Sequence, residues 1–136
     1  AAEGYTGDPA NGVPPNVVRE EDTQNFTALL AEFRRQLDEF GAQTGKYYPL
    51  TIAVSAVATQ YKKLELDKIH LYLDWINVMT YDMHGGWDVH GPTNFHAALY
   101  SSDDDPSPLK TSCHKTMLDY LIGGVPAHKL VLGVPF

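Results

Sequence analysis

Cysteine, long apolar runs and positive charge are all scarce in this chain of 136 residues. Cys113 is the only cysteine, so an internal disulfide is impossible, and the residue is interpreted as a half-buried helix residue. No apolar run is long enough to span a bilayer, so no membrane partner is expected. Lysine and arginine together number 10 against 17 aspartates and glutamates, a balance that argues against nucleic acid or an anionic membrane as a partner.

The length limits which architectures this chain can form. One small domain is possible, whereas a closed TIM barrel needs about 250 residues. Hydrophobic spacing predicts strands over 48–56, 75–81 and from Leu130 onward, and helices over 19–40, 64–73 and 114–122. Strands that alternate with helices are typical of a parallel sheet, so an α/β protein is expected. The pattern alone leaves a barrel and an open doubly wound sheet as alternatives.

The helix predicted over 19–40 has the clearest pattern. Six apolar residues fall at helical spacing on one stripe: Phe26, Leu29, Leu30, Phe33, Leu37 and Phe40. Gly41 is predicted to end this helix. Residues 82–112, by contrast, show no regular spacing and are predicted to form a long irregular segment, a kind of segment that is usually functional or disordered.

The most informative segment covers residues 75–91. Side chains of a strand alternate between its faces, so Asn77, Met79 and Tyr81 share one face, while aliphatic and hydroxyl side chains occupy the other. An amide, a thioether and a phenol on one face are unusual for a simple core. Polar groups at the carboxyl end of a buried strand indicate a functional site.

The motif Met79-Thr80-Tyr81-Asp82 and three further blocks, 22–26, 50–56 and 130–136, carry a family resemblance. The motif resembles the Met-x-Tyr-Asp pattern on the sixth barrel strand of family 18 glycoside hydrolases, the chitinases. The blocks resemble, in chain order, the helix after the fourth strand, the fifth strand and the seventh strand. The resemblance implies part of a TIM (β/α)8 barrel, incomplete in this chain, with residues 1–136 as a partial catalytic domain truncated at both ends.

The resemblance also implies an activity for the longer protein, the hydrolysis of β-1,4-linked N-acetylglucosamine polymers with retention of configuration. In this family the nucleophile is the substrate's own 2-acetamido group, and the enzyme supplies a general acid. The family's Asp-x-x-Asp-x-Asp-x-Glu segment, whose Glu is that acid, does not occur in this sequence. By analogy it precedes Ala1, so the isolated chain is predicted to be inactive.

Roles follow from the resemblance for residues of the motif and of the loop after it. Tyr81 is implied to hold the acetamide and Asp82 to bind sugar near the scissile bond, so these two are the predicted catalytic residues. Met79 is implied as a pocket floor and Trp87 as a surface on which a sugar ring stacks. Asn77 is added as a substrate-binding residue on strand alternation alone. For Trp87, a buried loop anchor is the alternative interpretation.

Neither a cofactor nor a metal is predicted. His84, His90 and His96 lie in one region, but their spacing matches no metal-binding signature. The expected partner is chitin or a chito-oligosaccharide, bound by a monomer. Chitin is insoluble and lies outside cells, so the longer protein is expected to be secreted.

Two other functions fit the same fold. A chitin-binding lectin would keep the cleft and replace the acidic Glu, although the intact motif from Met79 to Asp82 favours an enzyme. An endo-β-N-acetylglucosaminidase that acts on N-linked glycans is the third possibility. The residue at the position of the missing Glu would separate the first two, and the loop around Trp87 bears on the third.

Overall fold

Three parallel strands form the central sheet of the computed structural model, which describes residues 7–91 and 93–136. The strands are β1 (Thr51–Ser55), β2 (Trp75–Met79) and β3 (Leu130–Leu132), and they lie side by side in that order. Both pairings are parallel, so the predicted type of sheet is confirmed. Each strand lies within a segment predicted to be a strand, but the hydrogen-bonded ladder is shorter than the hydrophobic pattern.

Four α-helices connect and flank these strands. Helix α1 (Asp22–Thr44) precedes β1, α2 (Ala58–Tyr61) and α3 (Leu66–Ile69) connect β1 to β2, and α4 (Cys113–Ile122) precedes β3. Single 3-10 turns occur at Pro9–Asn11 and Ala127–Lys129. No helix in the described part of the chain is both long and apolar enough to cross a membrane.

Helix α1 runs through Gly41, so the prediction that Gly41 ends this helix is wrong. The helix continues to Thr44 and is capped by Gly45, whose φ of 68° lies in the left-handed region that favours glycine. The Gly45 N–H donates to the Gly41 carbonyl. Gly41 has a different role, because a Cβ there would lie 2.5 Å from the Lys46 carbonyl oxygen. Its missing side chain lets the chain fold back against the helix.

The helix predicted over 64–73 is correct only in part, because α3 ends at Ile69. The Tyr72 N–H donates to the Ile69 carbonyl three residues back, which is the tighter pattern of a turn. The Lys129 ammonium donates to the carbonyls of His70 and Leu73, at 2.7 Å each. These two carbonyls therefore accept from the side chain of Lys129, the residue directly before β3, and not from N–H groups of a continuing helix.

The hydrophobic core lies on one face of the sheet. Ile76 and Val78 of β2 have no solvent exposure and point towards the helices. Residues from all four helices join them in one buried cluster, which includes Leu30, Tyr61, Ile69 and Tyr120. The predicted division of β2 into a buried aliphatic face and a second face is confirmed.

The apolar stripe predicted on α1 is only partly covered. Leu30 is buried, whereas Leu29, Phe33 and Phe40 are about half exposed. The described elements therefore cover a narrow part of the stripe, and the rest of it leaves apolar surface exposed on α1.

Candidate active site

The face of the sheet opposite the core is open, and it carries the residues that strand alternation predicts to lie together. Asn77 of β2 is in register with Ala53 of β1 and Val131 of β3, and both neighbours are exposed. Met79 is in register with Ser55. The neighbours on β1, Ala53 and Ser55, have small side chains, which leave space next to Asn77 and Met79.

Asn77 and Met79 are both half-buried on this face. The Asn77 Nδ2 donates to the Ile52 carbonyl of β1 at 3.4 Å, which fixes the orientation of the amide. Met79 presents its thioether side chain one step nearer the carboxyl end of the strand. Together they form a surface that is apolar at Met79 and carries an amide group at Asn77.

Tyr81 follows β2 and is half-buried at the carboxyl end of the sheet. Within the described residues its hydroxyl has no hydrogen-bond partner. Its ring packs against Gly133, where a Cβ would lie 2.9 Å from Tyr81 Cε1 and 2.6 Å from the Val78 carbonyl oxygen. Glycine is therefore required at position 133 for the ring to occupy this place.

Thr80 holds the same segment from the buried side. Its hydroxyl donates to the Gly133 carbonyl at 2.7 Å, and its own carbonyl accepts from the Cys113 thiol at 3.5 Å. Cys113 is buried at the start of α4 and not half-buried as predicted, because it packs beneath this carbonyl. Both bonds fix the chain at Thr80, directly before Tyr81.

Asp82 is the next residue, and it is exposed with a φ of 56°. Its Oδ1 lies 3.1 Å from Nε2 of His96, a residue of the irregular segment. The neighbouring His84 lies 3.3 Å from the Asp88 carboxylate. The two histidines thus pair with different aspartates.

Trp87 is 59% exposed on the loop after the motif. The benzene part of its indole lies over Gly85, where a Cβ would come within 2.5 Å of the ring. An exposed ring that rests on a glycine does not have the geometry of a buried loop anchor. The structure therefore leaves one indole face accessible.

The segment 82–112 contains no helix and no strand among its described residues, as predicted. Within it, Asp105 is buried and accepts from the Ser107 N–H at 2.8 Å, so this carboxylate serves a local turn. Across residues 7–91 and 93–136, no three His, Cys, Asp or Glu side chains converge as metal ligands.

Three residues near the motif were not predicted from the sequence to have a role in the site, namely Gly133, Gly85 and His96. The glycines support the rings of Tyr81 and Trp87, and His96 contacts Asp82. A glycine beside an aromatic residue on a loop is a usable signal for Gly85. No local signal identifies the other two, because their partners are distant in sequence.

Comparison with known proteins decides the family. The model of the family described as glycosyl hydrolases family 18 matches residues 5–136. This chain belongs to glycosyl hydrolase family 18. The family predicted from the motif and its three accompanying blocks is thereby confirmed.

Several individual relatives are chitinases. The chain is 44% identical to chitinase A1 of Niallia circulans over 131 residues. This aligned region covers 93% of this chain and 19% of that protein. It superposes on chitinase ChiA74 from Bacillus thuringiensis with a TM-score of 0.83 and 47% identity, over 91% of this chain and 20% of that one. This chain also superposes on catalytic domain 2 of the Ostrinia furnacalis Group II chitinase, with a TM-score of 0.76 and 32% identity, over 87% of this chain and 29% of that one. That structure is of a mutant in complex with penta-N-acetylchitooctaose.

The family explains the open face of the sheet. Helices surround the outside of a TIM barrel, so the face of β1, β2 and β3 without helices is the inner face of the barrel wall. The chain is part of such a barrel, as predicted, and it spans between 19% and 29% of the length of these relatives. Tyr81 and Asp82 lie at the carboxyl end of the strands, which is the end where TIM-barrel enzymes place their active sites.

Proposed function

We propose that the open face of this sheet forms one wall of the sugar-binding cleft of a chitinase. Residues 1–136 are then part of one catalytic barrel domain, and the longer protein cuts β-1,4-linked N-acetylglucosamine polymers with retention of configuration. The observation that carries the proposal is the unpartnered Tyr81 hydroxyl among the described residues, at the carboxyl end of β2. The chitinases among the relatives support this class of substrate.

Tyr81 is the residue proposed to orient the reacting acetamide. In substrate-assisted hydrolysis, the acetamide carbonyl oxygen attacks the anomeric carbon while a general acid protonates the leaving oxygen. A phenol hydroxyl can donate a hydrogen bond to that carbonyl oxygen. Such a bond holds the oxygen in line for attack, and orientation of this kind lowers the barrier. No described residue competes for the Tyr81 hydroxyl, so it is free to bind substrate.

Asp82 is proposed to bind sugar near the scissile bond. Its carboxylate is exposed and can accept hydrogen bonds from sugar hydroxyls. Its negative charge also favours the protonated form of a carboxylic acid placed nearby. Tyr81 and Asp82 are adjacent, so one turn of the chain delivers both groups to the same place in the cleft.

Met79 and Asn77 are proposed to line the cleft wall beside Tyr81. Met79 supplies an apolar surface under the acetamide methyl group, a contact that suits a flexible thioether. The Asn77 side chain bonds to the described residues through its Nδ2 alone, so its side-chain oxygen is available to a sugar hydroxyl. Both side chains stay half-exposed on the face that the proposal assigns to substrate.

Trp87 is proposed to stack on a sugar ring at the rim of the cleft. Pyranose rings present patches of C–H groups, and an indole offers a large flat apolar surface to them. One face of the Trp87 ring rests on Gly85, which leaves the other face for a ligand. Its exposure of 59% in the absence of sugar is the property expected of such a platform.

A chitin-binding lectin on the same fold is the second candidate. The side chains described above would bind chito-oligosaccharide in a lectin as well as in an enzyme. The two candidates differ in one residue, the one at the position of the general acid in the longer protein.

The remaining properties follow from the substrate and are part of the proposal. The longer protein acts as a secreted monomer and needs no cofactor, because chitin lies outside cells and the acetamide group supplies the nucleophile. The isolated chain of 136 residues is inactive, since it lacks the acid. General acid catalysis contributes about 10²–10⁴-fold to rate, and its loss is expected to abolish measurable turnover.

The test compares the full-length protein with the isolated chain on chito-oligosaccharides of defined length. The proposal is supported if the full-length protein is recovered from the culture medium and cleaves these substrates, while the isolated chain does not cleave them. Binding without cleavage by the full-length protein would identify a lectin. Measurable turnover by the isolated chain would show that the acid lies within these residues and that the assignment of roles is wrong.

A further inference from the structure

His96 makes hydrogen bonds to three successive residues of the turn that follows the motif. Its ring Nε2 lies 3.3 Å from the Asp82 backbone nitrogen, and its Nδ1 lies 3.3 Å from the His84 carbonyl oxygen. Its own carbonyl accepts from the Met83 N–H at 2.9 Å. One residue of the irregular segment therefore holds the whole turn from 82 to 84.

This turn needs support because of the backbone conformation of Asp82. Its φ of 56° lies in the left-handed region, and among the described residues other than glycine only Lys110 shares a positive φ. That conformation is sterically unfavourable for a residue with a side chain, although aspartate adopts it more readily than most. Without the bonds from His96, the Asp82 backbone would relax and carry the carboxylate to a different place.

The contacts of the ring define the position of its proton. Backbone N–H groups only donate and carbonyls only accept, so the two bonds between the ring and the backbone require a neutral His96 that accepts at Nε2 and carries its hydrogen on Nδ1. A hydrogen on Nε2 would break the bond from the Asp82 N–H. In a doubly protonated ring, Nε2 instead donates to the Asp82 Oδ1, 3.1 Å away. The groups that face the ring are the Asp82 carboxylate and the His84 backbone, and Asp88 lies behind His84 at 3.3 Å.

We propose that His96 is a positioning residue that holds Asp82 in its sugar-binding conformation. The inference rests on the proposed function of Asp82 as a residue that contacts substrate. His96 acts through the backbone and carboxylate of Asp82, and its own ring does not contact the reacting atoms. Its side chain is 47% exposed, so a substitution there changes the turn without opening the core.

The kinetic test is a double-mutant cycle in the full-length protein with chito-oligosaccharides as substrate. His96→Ala is expected to lower kcat/KM roughly 10-fold, because a small displacement of a substrate-contacting group is costly. In an Asp82→Ala background, the same change should have less than about a twofold effect, since the residue through which it acts is gone. His96→Gln, whose amide reaches the position of Nε2, should restore part of the loss. His90→Ala, an exposed histidine of the same loop, is the matched control.

The inference is overturned if His96→Ala lowers kcat/KM no more than His90→Ala does. It is also overturned if His96→Ala lowers kcat/KM equally in the wild-type and the Asp82→Ala backgrounds. A second readout is independent of activity. In the full-length protein with ¹⁵N-labelled histidine, NMR should find the neutral His96 ring protonated on Nδ1, and protonation on Nε2 would contradict the geometry. If the wild-type protein neither cleaves nor binds chito-oligosaccharides, the proposed function fails, while the NMR result still decides whether His96 holds the turn.

Discussion

The two ends of the three-stranded sheet differ in how fully their polar side chains are hydrogen-bonded. At the amino end, Asp74 directly precedes β2, and both of its carboxylate oxygens are bonded. One oxygen accepts from the Leu50 N–H at 2.7 Å and from Arg34 at 3.4 Å, and the other accepts from the Tyr47 hydroxyl. Arg34 belongs to α1, so this single carboxylate ties a helix to two strands.

At the carboxyl end, the comparable tyrosine hydroxyl is left open. Among the described residues the Tyr81 hydroxyl has no partner, and Asp82 and Trp87 are exposed. In TIM barrels the amino end of the strands supports stability and the carboxyl end supports chemistry. The contrast between a saturated carboxylate and an unpartnered phenol therefore separates a stabilising end of this chain from the end proposed to bind substrate, called the binding end below.

The closed network lowers the pKa of Asp74. Burial by itself raises this pKa, but hydrogen bonds from Tyr47 and Leu50, together with the charges of Arg34 and Lys129, outweigh burial and bring the pKa below its usual 3.8. A carboxyl group whose pKa is lowered by folding stabilises the fold at neutral pH. That contribution is lost as pH falls through 3.8 towards the lower folded value.

The largest effect is expected from Tyr81→Phe in the full-length enzyme. Removal of one hydrogen-bond donor that acts on a developing charge typically costs about 10²-fold or more in kcat. KM should change much less, since the bond proposed between Tyr81 and the acetamide strengthens as charge builds on that group. Steady-state kinetics on chito-oligosaccharides measure both quantities. A change confined to KM would make Tyr81 a plain binding residue.

Tyr47→Phe is the matched control, because it removes the same hydroxyl from the other end of the sheet. It deletes a hydrogen bond to Asp74 and leaves the open face unchanged. The melting temperature should fall while kcat of the folded enzyme stays at the wild-type value. Equal losses of kcat in both variants would remove the proposed division between the two ends.

Asp74→Asn should have the next largest effect, and on stability alone. It removes the charge on which the network depends, at a cost of about 1.5 kcal/mol in the free energy of unfolding, since hydrogen bonds to charged groups are the stronger ones. Denaturant unfolding at pH 7 measures this loss. The difference between wild type and variant should shrink as the pH falls below 3.8, and a difference that is constant with pH would show that the carboxylate charge is not the cause.

The predicted elements show which parts of this comparison the sequence already contains. The alternation along β2 correctly separates Ile76 and Val78 from Asn77 and Met79, because strand periodicity is local. The bounds of α1 and the helix over 64–73 were predicted less well. The Gly41 error is local, because Gly45, only four residues further on, is the cap of the helix. The Lys129 bonds to His70 and Leu73 are tertiary contacts that no window of sequence displays.

The same limit applies at the binding end. The motif itself was found because its four residues are contiguous. The bond from Thr80 to Gly133 joins residues 53 positions apart, and the bond from Asp82 to His96 joins residues 14 positions apart. His96 was considered only as a metal ligand, because a histidine on an irregular segment carries no sign of which carboxylate it will face. The residues that hold the site therefore emerged only from the fold.

Trp87→Ala should weaken binding of longer chito-oligosaccharides and leave stability nearly unchanged. An aromatic contact of this kind contributes roughly 1 kcal/mol, or about a fivefold change in Kd. Truncation of a buried tryptophan would instead cost about 3–5 kcal/mol of stability. Titration calorimetry and thermal melts of the full-length variant separate the two cases. A large drop in melting temperature with unchanged affinity would return Trp87 to the role of a structural anchor.

The smallest expected effect, and the most specific one, comes from Gly85→Ala. A Cβ at this position would lie 2.5 Å from the Trp87 ring, and the ring, being exposed, can move away at little cost to the fold. The displaced indole should bind a sugar less well, by roughly two- to threefold in Kd, which is part of the loss caused by removing the ring. Gly86→Ala is the matched control, since a Cβ there meets nothing within 4 Å. In a Trp87→Ala background the Gly85 substitution should have no further effect on affinity. Equal affinities for the Gly85 and Gly86 variants would show that Gly85 does not set the position of the ring.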